Sequence, residues 1–164
     1  MRHRSRKWIL SWVGLILLTC GILTFPVYKD YLHHDYNLNR EVNAFRQLKH
    51  PAGTSRVAFK KYMGLYLGNG NHCDTFVGEL RRYSGDGQSI ESFYAGQTAA
   101  DLGVNVVFLE NGDFPDQVQR WSLPSYRLDL VSMWLDSPAT PRDHLYLIYI
   151  FDIDLDPVWD FRCS

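Results

Sequence analysis

Residues 8–28 read WILSWVGLILLTCGILTFPVY, 21 consecutive positions without a charged side chain. No other feature limits the fold as much, because an apolar run of that length must be taken out of water by lipid or by protein. As a helix rising about 1.5 Å per residue it extends roughly 30 Å, the thickness of a bilayer's hydrocarbon core. Trp8 and Trp12 stand near its first end and Phe25, Tyr28 and Tyr31 near the other, where amphipathic rings sit at the two membrane–water interfaces. Arg2, Arg4, Arg6 and Lys7 precede the run, whereas Lys29 after it is offset by Asp30 and Asp35. The positive-inside bias therefore predicts a basic cytoplasmic tail over 1–7 and a transmembrane helix over 8–28 whose partner is the lipid bilayer. The remainder is expected to be extracytoplasmic, and periplasmic if the source is a Gram-negative bacterium.

Two other uses of this segment fit less well. A cleaved signal peptide needs a shorter apolar region and a small-x-small site, which neither Leu23-Thr24-Phe25 nor Pro26-Val27-Tyr28 supplies. A lipoprotein site at Leu17-Leu18-Thr19-Cys20 would put Thr before the lipidated Cys, and the apolar run continues beyond it. Cys20 then reads as a small apolar residue in a helix.

The rest of the chain has the composition of something that folds. Of its 164 residues 46% are hydrophobic and 15% aromatic, too apolar for a disordered tail and enough for one modest domain. Without the four basic residues of the tail, 13 basic face 18 acidic residues with no Lys/Arg cluster, which excludes nucleic acid as a partner, since phosphate contacts supply most of that affinity.

Residues 29–50 are expected to form a juxtamembrane helix, with Tyr31, Leu38, Val42, Phe45 and Leu48 at helical spacing and His50-Pro51-Ala52-Gly53 as its stop. Asp35 and Lys49 fall where a coiled-coil seam needs apolar residues, so the stripe is expected to pack on its own domain. That domain is placed at 51–164. Its first strand has Val57, Phe59, Met63, Leu65 and Leu67 alternating with Arg56, Lys60 and Tyr62; after the turn residues Gly68-Asn69-Gly70-Asn71 a second strand covers 73–83, making a hairpin. A helix is expected over 88–102, capped by Asp86 or Ser89 and stopped by Gly103. Strands are expected over 104–110, 126–135 and 144–153, the last so apolar that it should lie centrally, with an irregular connection over 113–124. The order α-β-β-α-β-β-β implies an α+β fold, a small antiparallel sheet with helix packed on it.

The most conspicuous chemical pattern is Tyr149-Ile150-Phe151-Asp152-Ile153-Asp154-Leu155-Asp156. It resembles the nucleophile motif of haloacid-dehalogenase-type phosphatases, but a parallel-sheet domain would have to follow, and only 155–164 do. It also resembles the start of an EF-hand loop, but Pro157 and Cys163 stand where that loop needs Gly and a bidentate Glu. What remains is a strand with Asp152, Asp154 and Asp156 on one face, which must be solvated, paired with Arg120, Arg127 or Arg142, or joined by Asp160 around a cation. Asn71-His72-Cys73-Asp74 and His33-His34-Asp35 lack the separated pairs from which zinc sites are built. Cys73 with His72 or His144 carries no recognisable nucleophile signature, no Gly-x-Ser-x-Gly occurs, and Gly68-Asn69-Gly70 lacks the remainder of a phosphate loop. No catalytic residue and no cofactor is therefore assigned.

Cys73 and Cys163 are the two cysteines beyond the apolar run, and in an oxidising compartment such a pair is expected to form a disulfide. The absence of any Asn-x-Ser/Thr sequon leans toward a bacterial envelope over a eukaryotic secretory route. The expected function is a membrane-anchored, extracytoplasmic module that contacts a protein partner in the envelope, with a cation- or ligand-sensing domain using the Asp152/Asp154/Asp156 face as the alternative. An envelope enzyme without a visible motif is the third.

Overall fold

The computed structural model describes residues 2–64, 73–109, 144–154 and 161–163. The architecture is α+β, as the order of elements implies. One long helix, α1 (Arg2–Arg46), leads into β1 (Thr54–Gly64) and β2 (Cys73–Tyr83), followed by a short helix α2 (Gly87–Tyr94). The small strands β3 (Thr98–Ala99) and β4 (Leu102–Gly103), then β5 (Asn105–Phe108), β6 (Leu145–Asp154) and a single 3-10 turn (Phe161–Cys163) complete the described elements. The main sheet is antiparallel in the order β1-β2-β6-β5.

The apolar run and the juxtamembrane segment are not separate helices; both belong to α1. No single helix is long and apolar enough to cross a membrane; Ser11–Ile22 and Val27–Arg46, bent by 43° at the break between them, match a broken span by length and composition only. Pro26 lies in that break and brings no N–H for the carbonyl of Ile22, the usual cause of a helix kink. The two halves have different surroundings. Trp12, Leu15, Ile16, Leu17, Leu18 and Ile22 are exposed, whereas Leu38, Val42 and Phe45 are buried on the sheet. The stripe of the second half thus packs on its own domain, and Arg46 ends the helix four residues ahead of the expected stop.

β2 and β6 are the two central strands, and their alternation fills both faces of the sheet. On the α1 face, Val77, Tyr146, Ile148 and Ile150 meet Phe45, Ile90 and Tyr94. On the opposite face Phe76, Leu80, Leu145, Leu147 and Tyr149 form a second buried cluster, so β6 is covered on both sides, as its unbroken apolar character requires. Gly78 faces Tyr149 in this register, and a Cβ there would lie 3.0 Å from the Phe76 ring and from the Ile148 carbonyl oxygen. The missing side chain leaves room for Phe76 to stack on Tyr149 with centroids 5.6 Å apart.

Three local expectations need correction. The alternation of β1 is interrupted by a register shift between Arg56 and Ala58, so Val57 joins the second cluster while Phe59 and Met63 face α1. Tyr62, assigned to the polar set, also packs in the second cluster. The helix expected over 88–102 stops at Tyr94, because Gly96 takes φ +75° and ends it in the left-handed region, leaving Gly103 no such role. Residues 98–103 instead form a hairpin whose two turn residues, Ala100 and Asp101, have φ of 53° and 70°. Asp86 is the cap, accepting a hydrogen bond from the Gln88 N–H at 3.0 Å. The turn over 68–71, the strand over 126–135 and the connection over 113–124 lie outside the described residues.

Candidate functional site

The second half of α1 carries two polar side chains in its apolar stripe, His34 and Glu41, and both are turned into the sheet and buried. Their placement defines the polar cluster at the end of the sheet where β2 begins. Cys73 opens β2 and Cys163 lies in the 3-10 turn; both are buried, with Cα atoms 4.9 Å apart, so the expected pair stands at disulfide distance. A ring nitrogen of His34 and the two sulfur atoms all lie within 4.8 Å of one another. The 3-10 turn is also held to α1 by Arg162, whose Nη1 donates to Asp35 Oδ1 at 2.6 Å and whose guanidinium lies 3.5 Å from the Tyr31 ring centroid.

Two residues along β2, Thr75 donates its hydroxyl to Glu41 Oε2 at 2.6 Å, while Glu41 Oε1 has no hydrogen-bond partner among the described residues. Asp152 stands opposite Thr75 in the β2–β6 register. Burial raises the Glu41 carboxyl above its usual range and the negative charge of Asp152 adds to the effect, against the Thr75 hydrogen bond and the charge of Arg40. A raised folded-state value means the folded form holds its proton longer than the unfolded chain. Stability from this group is complete below about pH 4.5 and is lost as pH rises through the folded value. Glu41→Gln is expected to flatten that loss, measured as the melting midpoint between pH 4 and 7.

Of the acidic residues singled out in the sequence, Asp152 is therefore brought against Glu41. The backbone of Asp154 pairs with Cys73, and its side chain, Asp156 and Asp160 lie outside the described residues, as do Arg120, Arg127 and Arg142. The His33-His34-Asp35 trio is split three ways: His33 is exposed with its ring 3.1 Å from the Asn37 amide, His34 faces the cysteines, and Asp35 meets Arg162. Asp74 and Cys73 project to opposite faces as strand neighbours must, and Asn71 and His72 lie outside the described residues. His144 is not a partner for Cys73, because it precedes β6 at the far end of the sheet, its ring against Tyr83. Among the described residues, the histidine beside Cys73 is His34. In the sequence His34 is set aside with its neighbours for want of a separated pair and Glu41 is not singled out, although two polar residues inside the stripe that holds Leu38, Val42 and Phe45 were a visible signal.

A second polar group lies at the other end of the same face. Glu79 is buried and paired with Arg81 at 2.5 Å, with Arg56 at 3.5 Å and with His50 Nε2 at 3.8 Å. His50 Nδ1 lies 2.8 Å from the Tyr94 hydroxyl, which is 3.4 Å from that of Tyr146. Burial lowers the His50 pKa, Arg81 lowers it further, and Glu79 opposes both. His50, hydrogen-bonded to Tyr94 and 3.8 Å from Glu79, stands between the two, a structural use. Its depressed value makes the fold lose stability as pH falls from about 6.5 toward the folded value, since the unfolded chain takes up the proton first. His50→Gln is expected to remove this acid sensitivity; an unchanged slope of melting midpoint against pH in the variant would refute the assignment.

No family profile, curated protein or solved structure matches this chain.

Proposed function

We propose that the chain is a membrane-tethered, extracytoplasmic module that contacts a protein partner in the cell envelope. The observation that carries this reading is the division of α1: one helix whose first half presents exposed Trp12, Leu15, Leu17, Leu18 and Ile22, and whose second half is part of the domain's core. An apolar surface of that extent needs a cover, and the uncharged stretch before the kink suits lipid. Because the helix is continuous in chain, the anchor and the sheet are joined without a flexible linker, which suits a domain held at a fixed place above the bilayer. In a bacterial host the full chain is expected to resist carbonate extraction from membranes, and alkaline phosphatase fused after Ser164 to be active. Activity of a cytoplasm-only reporter at that position would overturn the orientation. Cross-linking of the full chain in membranes is expected to recover a second protein, and recovery of the chain alone would count against the partner.

A cation-sensing role is the second reading, favoured by Glu41 and Asp152, because the charge of Asp152 helps to raise the Glu41 carboxyl. A cation between them would relieve that repulsion. Calorimetry of the full chain in detergent with millimolar Ca²⁺ tests it, and absence of both heat and a melting shift removes it.

A further inference from the structure

We infer that His34, Cys73 and Cys163 form a redox-gated site for a thiophilic cation of the zinc class. The three residues come from three elements far apart in sequence, α1, β2 and the 3-10 turn, and converge in the interior with their ligand atoms within 4.8 Å of one another. Once the S–S bond is broken and the sulfurs separate, one nitrogen and two sulfurs converging there supply three ligands for a tetrahedral cation bound at about 2.0–2.3 Å, with the fourth position left for water. Soft sulfur ligands select zinc-class ions over calcium and magnesium. Burial of all three sets this cluster apart from a surface pair of thiols.

The gate is the state of the two sulfurs. In the bridged form each sulfur is bonded to the other and neither is a thiolate, so the site is closed. A dithiol or phosphine reductant supplies two electrons, the S–S bond breaks, two protons are taken up to give two thiols, and the reductant is oxidised. Zn²⁺ then displaces those two protons and is held by Cys73, Cys163 and the neutral ring of His34. The cross-link between β2 and the 3-10 turn, joining cysteines 90 positions apart in sequence, is thus kept in both states, by a covalent bond in one and by the metal in the other. This goes beyond the tethering reading and does not depend on which side of the membrane holds the domain.

The test uses the full chain in detergent under anaerobic conditions, either untreated or reduced with a phosphine that is then removed, with Zn²⁺ as the probe. The reduced chain is expected to retain one zinc per chain after desalting and to melt at a higher temperature with zinc than without it. The bridged chain is expected to retain none. His34→Gln should weaken binding at least about tenfold, whereas Asp86→Asn, at the cap of α2, should leave it unchanged. Zinc retained equally in both redox states, equal binding by wild type and His34→Gln, or a reduced chain that neither binds zinc nor refolds with it would each overturn the inference. Loss of binding in Asp152→Asn would move the cation to the acidic pair and overturn it as well. An active or inactive alkaline phosphatase fusion bears on none of these outcomes, so the two readings fail separately.

Discussion

Cys163→Ser is expected to destabilise the oxidised domain by roughly 4–5 kcal/mol, the chain-entropy value for releasing a loop of this size. The cysteines are 90 residues apart and both are buried, so the bridge restricts the unfolded chain over more than half of its length and ties the 3-10 turn to the start of β2. The surface contact between Arg162 and Asp35 cannot replace it, since an exposed ion pair contributes about 1 kcal/mol or less. Urea melts of the full chain in detergent should show the variant and the phosphine-treated wild type, both without metal, falling to the same midpoint. A wild type that is insensitive to reductant and equal to the variant would show that the cysteines are not bonded.

The second large effect is expected at Glu79. Removing its carboxylate with Glu79→Ala leaves Arg81, whose side chain is 7% exposed, as an uncompensated buried cation, and breaking such a pair from one side costs about 3–5 kcal/mol. The same change takes away the anion that Arg56 and His50 also approach, so His50 should become still harder to protonate. The double change Glu79→Leu with Arg81→Met removes both charges and is expected to be clearly less destabilising than the single change, by the same urea midpoint. If the double variant is the worse of the two, the pair stabilises by more than the avoidance of a lone charge.

Much of the fold could be read because it follows from local patterns. The second strand at 73–83 follows from the turn residues ahead of it, and the central position of β6 from its almost wholly apolar run. The long helix was visible too, but as two segments, because a change from lipid-type to core-type composition at residue 28 looks like a boundary while the backbone hydrogen bonds continue through it. The errors are of one kind. The register shift at Val57 and the end of α2 at Gly96 depend on which backbone hydrogen bonds are already taken, and side-chain periodicity does not report that. Residues 98–102 read as helix because Leu102 continues the apolar spacing of Ile90, Phe93 and Tyr94 up to Gly103, yet pairing of Thr98 with Gly103 and of Ala99 with Leu102 prevails.

What the sequence determined by itself is the set of constraints that act over a few neighbouring residues. These are an uncharged run long enough for a bilayer, an α+β order of elements, and two cysteines beyond the apolar run. Which residues meet is a different matter, decided by the crossing of α1 over the sheet. That crossing brings His34 beside Cys73 and Cys163, Glu41 against Thr75 and Asp152, and His50 against Glu79 and Tyr94. The acidic face seemed in sequence to belong to Asp152, Asp154 and Asp156; in the fold the charge of Asp152 acts on Glu41, 111 residues earlier, across their shared neighbour Thr75. The reason is physical: strand alternation fixes the side of the sheet on which a residue lies, but burial and electrostatics depend on what the rest of the chain places on that side, and only tertiary packing supplies it.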